Sequence, residues 1–363
     1  MPKPRKVKQA MAWAVEHFAS PGRGSSRASE KAEELLFTLR QEAAELFDCD
    51  WDQVVLTTSA THGLNIAIKS LAGRGDRVVI SGMEHNAVVR PLYAIGAEVH
   101  VARGRLFDRD RLLEEFDQLL TEDTKLCVMT HVSNVFGWIL PIEEVASLCR
   151  QRGIPFVLDA SQSAGTLPVQ MKSLGAAFIA FPGHKGLLGP QGTGLLLCGH
   201  EAKTLLEGGT GSISKEKAMP DFLPDRLEPG THNMPGAAGL LEGLRYVRGH
   251  GLAQIAQHEM ELGTYGASLL AEIPEVEVFQ GADQTGVLSF RPGTRDCVVF
   301  AEQLAKQWDI ALRAGLHCAP LAHETAGTLD TGTIRLSVGP MSKQWQLRRL
   351  AEAVKSLMKQ QKM

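Results

Sequence analysis

Residues 152–198 read RGIPFVLDASQSAGTLPVQMKSLGAAFIAFPGHKGLLGPQGTGLLLC. Two apolar runs, 154–158 and 176–181, have the length, composition and Gly/Pro boundaries of buried strands. The first ends at Asp159, and the second leads to His184 and Lys185. Parallel strands present their C-terminal ends to one crevice, so these positions converge there despite their separation in sequence. Taken singly, Asp159 reads equally well as a helix cap and Lys185 as a solvated charge. Together, with Gln162 between them and the glycines of GPQGTG behind, they read as a ligand site.

A lysine facing a carboxylate suits pyridoxal 5'-phosphate (PLP). The amine takes the aldehyde, and the carboxylate pairs with the pyridine nitrogen and keeps the ring an electron sink. DASQSAG followed by FPGHKGLLGPQGTG also resembles the cofactor core of class V, fold-type I PLP enzymes. More narrowly it resembles the cysteine desulfurase and selenocysteine lyase group, over nearly the whole chain.

Working outward, 54–58 reads as a strand and 59–70 as a helix with Leu64, Ala67, Ile68 and Leu71 on one face. The turn TTSATHG places small and hydroxyl residues at that helix start. Such a turn serves either as a cap or as a phosphate site. The resemblance assigns Ala60 and Thr61 to the PLP phosphate. It gives His85, in MEHNA after the strand 77–81, the face of the pyridine ring, where an imidazole also shuttles protons. It gives Asn134 and Gln162 the phenolic oxygen. Pro182 stands where many desulfurases have a phosphate-binding serine, which shifts weight to His184 and the Thr61 turn. Thr231, in GTHNMPG, matches a threonine that reaches the phosphate of the partner subunit in a dimer. The basic loop 20–29 is expected near the mouth of the site, with Arg23 or Arg27 toward substrate or a neighbouring subunit.

Near the C-terminus stands Leu312-Arg-Ala-Gly-Leu-His-Cys318-Ala-Pro. A lone cysteine is usually an inert small hydrophobe. Here Arg313 and His317 flank an irregular loop and are expected to favour the thiolate. The string resembles the R-x-G-x-H-C catalytic loop of desulfurases. Arg335, in TIRLSV, matches the arginine that clamps a substrate carboxylate. Relatives continue from there as G-P-x-N-T, whereas this chain has Gly339-Pro-Met-Ser-Lys343, an altered pocket rim. Relatives also open on a strand like YLDNAAT ahead of PKP. The chain begins Met1-Pro2-Lys3-Pro4, and the pocket floor is expected to lack that strand.

The 363 residues, 44% of them hydrophobic, suit a large core and two domains. A net charge of −3 gives no electrostatic case for nucleic acid or an acidic membrane, and no run of 18 apolar residues suggests a span. Six cysteines without C-x-x-C spacing argue against a metal site and for a reducing, cytoplasmic setting. In the opening MPKPRKVKQAMAWAVEHF, Trp13, Val15 and Phe18 are expected on the buried face of a helix. The fold class predicted is α/β: a mostly parallel sheet between helices over residues 1–248, and a small α+β domain over 249–363. The N-terminal segment is expected to pack on the small domain. The resemblance implies a homodimer that takes L-cysteine or L-selenocysteine, and Cys318 carries sulfur to an acceptor protein. The alternatives are a selenocysteine lyase, aminotransferase or epimerase of the same class, or an inactive PLP-binding protein.

Overall fold

The computed structural model describes residues 2–21 and 26–360. Arg23 lies outside them. A seven-stranded sheet holds β1 (Val54–Thr57), β2 (Arg77–Ser81), β3 (Glu98–Ala102), β4 (Thr124–Thr130), β5 (Phe156–Asp159), β6 (Phe178–Pro182) and β7 (Gly194–Cys198). Their order is β1-β7-β6-β5-β4-β2-β3. Pairing is parallel from β3 through β6, and only β7 runs against the rest. The C-terminal ends of β1, β2, β4, β5 and β6 therefore share one edge, and the ligand-site candidates of the large sheet follow that edge.

Both faces of this sheet are covered. Val79, Met129, Leu158 and Phe181 face one core, and Val78, Val128, Val157 and Ala180 face the other. Alternation along a strand gives the two sets, and burial on both sides explains why β5 and β6 read as unbroken apolar runs. The flanking helices are α1 (Arg5–His17), α2 (Arg27–Phe47), α3 (Ala60–Leu71), α4 (Asn86–Ile95), α5 (Arg109–Leu119), α6 (Ile142–Gln151), α7 (Met171–Leu174) and α8 (Met234–His250).

The helical spacing between 240 and 270, interrupted at Gly249 and Gly251, is realised as α8 and α9 (Leu252–Ala271), which meet at Gly251, whose φ is 82°. Beyond it β8 (Val276–Phe279), β9 (Val287–Pro292), β10 (Arg313–Gly315) and β11 (Thr333–Ser337) form an antiparallel sheet ordered β10-β11-β9-β8. With α9, α10 (Cys297–Trp308) and α12 (Gln344–Gln360) it encloses a third core, while α11 (Pro320–Ala326) places Ala322 in the first core, against the large sheet.

One expectation is corrected. Trp13 and Val15 are 43% and 70% exposed, not buried. The face of α1 that packs on α8 is instead Val7, Met11 and Ala14, spaced i, i+4, i+7. Gly239 of α8 lets Met11 approach, since a Cβ there would lie 2.7 Å from Met11 Cγ.

Two features hold the site loops. Gly165, at φ 89°, brings DASQSAG against the loop after Lys185; a Cβ on it would lie 2.5 Å from the carbonyl of Gly186. The buried pair Arg40–Glu228 (2.7 Å) also accepts Leu56 N–H on Glu228 Oε1 at 2.6 Å. It ties α2 and β1 to the loop that carries Thr231, three residues further on.

Candidate active site

At the shared strand edge a cavity of about 230 Å³ is lined by Ala60, Thr61, His85, Asn134, Asp159, Gln162, His184, Lys185 and Arg335. These are the sequence candidates from six separate segments. Ser59, Ala87, Thr130, Ser161 and Arg313, which the sequence did not single out as pocket residues, complete the wall with Pro182.

From β5, Asp159 enters buried, and its Oδ1 accepts the Ser161 N–H at 2.9 Å. From β6 comes Lys185. Burial lowers its affinity for a proton, Asp159 opposes that, and Arg335 and Arg313 add to it. A free amine is thereby made easier to reach near neutral pH. Burial likewise lowers the pKa of His85, against the pull of Asp159. His85 caps α4, its Nδ1 accepting Ala87 N–H at 3.0 Å, which fixes the ring at the pocket wall. The first residues of α3 face the same space. Ser59 caps that helix by accepting His62 N–H at 3.2 Å, while Ala60 and Thr61 line the cavity. The free N–H groups of a twelve-residue helix favour an anion there. Lys3 donates to the carbonyl of His184 at 2.5 Å. The contact spans 181 residues, and no local pattern signals it.

Cys318 stands beside this cavity, in the turn between β10 and α11. It is exposed, and the other five cysteines are buried. Arg313 Nη2 lies 3.2 Å from its Sγ. His317 does not help as expected. It is buried, its Nε2 sits 3.1 Å from both the carbonyl and the hydroxyl of Thr333, and burial pushes its pKa down to about 3. The ring is neutral at pH 7 and turned into the protein, so the positive charge next to the thiol comes from Arg313 alone of the pair.

His317 and Cys318 both have left-handed backbones, φ 50° and 59°, which is costly without glycine. Two hydrogen bonds hold them. Asn134 Nδ2 donates to His317 O at 2.8 Å, and Asn86 N–H donates to Cys318 O at 2.7 Å. Asn134 thus spends an amide proton on the cysteine turn while lining the cavity of Lys185 and Asp159. Its own carbonyl accepts Arg335 Nη1 at 2.7 Å. Arg335 links the two in turn, and burial with Arg313 nearby pushes its pKa down to about 10.

Thr231 is not brought to this cavity. It lines a separate one of about 200 Å³ with Thr58, His62 and Glu228. Arg27 begins α2.

The side chains present fit PLP: Lys185 would meet its aldehyde, Asp159 its ring nitrogen and the start of α3 its phosphate. The sequence pattern of the aminotransferase class-V family matches residues 1–350, and the chain belongs to that family. It is a PLP-dependent enzyme. A probable cysteine desulfurase of Methanothermobacter thermautotrophicus is 30% identical, over 98% of this chain and 92% of that protein. A cysteine desulfurase of Escherichia coli O127:H6 is 33% identical over 87% of this chain and 82% of its own. Among solved structures, the apo cysteine desulfurase of Thermococcus onnurineus NA1 superimposes with a TM-score of 0.90 at 28% identity, covering 99% of this chain and 92% of its own. These likenesses support the general cysteine desulfurase function. Among the described residues, no helix is long and apolar enough to cross a membrane.

Proposed function

We propose that this chain converts L-cysteine to L-alanine and holds the sulfur as a persulfide on Cys318. The observation that carries the reading is the exposed Cys318 thiol, met by Arg313 Nη2 at 3.2 Å, beside the cavity of Lys185 and Asp159. An aminotransferase or epimerase needs the lysine and the carboxylate but no thiol.

PLP, when bound, supplies an aldehyde for the substrate amine and a ring that accepts electrons from Cα. Lys185, Asp159, His85, Gln162 and the start of α3 would hold it, with Ala60, Thr61 and His184 around the phosphate. Arg335 binds the substrate carboxylate with its planar fork. Lys185 Nζ removes the Cα proton, and the Asp159 carboxylate keeps the ring nitrogen protonated while that happens. His85 Nε2 passes protons on the ring face. The Cys318 thiolate attacks the substrate sulfur: an S–S bond forms, the Cβ–S bond breaks, and the carbon skeleton takes up a proton. The net change is L-cysteine plus enzyme thiol to L-alanine plus enzyme persulfide. The sulfur then passes to an acceptor protein, or leaves as sulfide with a reductant. L-Selenocysteine fits the same groups.

The chain is also read as a cytoplasmic homodimer in which Thr231 serves the phosphate of the partner subunit. Residues 1–248 are the large domain and 249–363 the small one, a division supported by the third core, which draws only on residues after 261, although Ala319 and Ala322 join the core of the large sheet.

The direct test is purified protein with PLP and L-cysteine, with alanine and sulfide measured. Alanine in step with sulfide supports the reading; pyruvate or a keto-acid-dependent product moves it to a lyase or aminotransferase. Asp159→Ala is expected to fold, keep some PLP, and lose turnover by about 10²–10³-fold, the usual cost of removing a preorganised charge partner. Near-normal turnover with PLP bound would refute the role.

A further inference from the structure

Immediately before His85, the carboxyl group of Glu84 is sealed inside the protein at 0% exposure. Its Oε1 accepts hydrogen bonds from the Ser81 hydroxyl, in a short contact, and from Thr130 N–H at 2.7 Å. Its Oε2 has no partner. Ser81 ends β2 and Thr130 ends β4. The β2–β4 ladder stops earlier, at Ile80 opposite Val128, so the two strands diverge as they reach the pocket. The Glu84 side chain fills that fork.

The contacts continue to the site. Thr130 lies opposite Asp159 in the β4–β5 register. The Asp159 carbonyl accepts His131 N–H at 3.0 Å. On the other side Glu84 is bonded directly to His85, whose ring faces the same cavity. One carboxyl thus joins the turn that carries His85 to the strand end that leads into Asn134.

We propose that Glu84 is a positioning residue that, as a neutral acid, locks the His85 turn against the end of β4 beside Asp159. The proposal deepens the reading of the Lys185 cavity and rests on it for its kinetic arm. The neutral form follows from the surroundings. No cation lies among its hydrogen-bond partners, one oxygen is unpaired, and the titratable groups that face it are the carboxyl of Asp159 and the thiol of Cys127 on β4, which burial keeps protonated. An isolated buried carboxylate is far costlier than a buried acid. Burial is the main cause that raises its pKa to about 8, and Asp159 adds to it. Asp159 is the carboxylate that lines the pocket, and Glu84 stands behind it.

The test compares Glu84→Gln, which keeps the shape and cannot ionise, with Glu84→Ala. Two arms use cofactor-free protein, so they are independent of which substrate is turned over. In the first, the His85 ring resonances, assigned with His85→Gln, are expected to shift in Glu84→Ala and to stay near wild type in Glu84→Gln. In the second, melting temperature is followed from pH 5 to pH 8. A folded-state pKa raised above the unfolded one means wild-type stability falls as pH rises through that window. Glu84→Gln escapes this, so its melting temperature relative to wild type is expected to climb by a few degrees. The third arm is turnover: Glu84→Ala is expected to lose kcat by about 10²-fold and Glu84→Gln to stay within about threefold, as for a displaced but intact catalytic set. Unmoved His85 resonances in Glu84→Ala, a flat pH difference, or Glu84→Gln as impaired as Glu84→Ala would each overturn the proposal. Should Glu84→Ala fail to fold, the Glu84→Gln arms decide alone.

Discussion

Lys185→Ala is expected to abolish turnover of L-cysteine, by about 10⁴-fold or more, the upper range for one general acid–base group. The loss is large because the same nitrogen has two tasks. It anchors the cofactor, and it takes the Cα proton. Burial has already reduced its proton affinity, so its replacement removes an amine that gives up its proton more readily than an exposed lysine. Lys3, which donates to the carbonyl next door, is held by that bond and cannot substitute. Borohydride reduction of the wild-type holoenzyme, followed by peptide mapping, is expected to find the cofactor fixed to Lys185. A label on any other lysine would place the chemistry elsewhere.

Cys318→Ser is expected to have the second largest effect, and a more selective one. The oxygen keeps approximate size without the soft nucleophile. PLP and L-cysteine still bind, because Lys185, Asp159 and Arg335 are untouched, yet alanine formation falls by orders of magnitude. The thiolate is the reactive form of this residue. An ordinary thiol with a pKa of roughly 8.5 is only a few per cent ionised at pH 7. The Arg313 guanidinium stands 3.2 Å from Sγ, a cationic donor at the nucleophile. The turn is held by Asn134 and Asn86 in a backbone conformation it would not choose freely. Undiminished alanine production in Cys318→Ser, measured at saturating L-cysteine, would transfer the weight to a lyase or aminotransferase mechanism.

Much of this site was legible in the sequence because strand ends are. Asp159 and Lys185 each follow a short apolar run, and a doubly covered sheet leaves such runs unbroken. Element ends shifted by a residue or two, as at β5, which starts at Phe156 after Pro155. What stayed hidden was orientation and reach. The string around Cys318 suggests two cationic neighbours, but His317 turns inward to Thr333 and is neutral. Glu84 looks like a surface acid in a polar turn, and only the divergence of β2 and β4 shows that it is enclosed. Strand β3 escaped notice because it is an edge strand, mostly half-exposed, with a weak apolar signal. Trp13 and Val15 misled because size and hydrophobicity do not say which face of α1 meets α8, and the small residues of α8 select Met11 and Ala14.

Sulfur is expected to reside on Cys318 after one turnover. Holoenzyme mixed with a single equivalent of L-cysteine, then alkylated, digested and analysed by mass spectrometry, is expected to carry one added sulfur atom on the Cys318 peptide. The buried Cys49, Cys127, Cys149, Cys198 and Cys297 should remain unmodified and serve as internal controls. Alanine formed with no sulfur on Cys318, or persulfide on another cysteine, would contradict it.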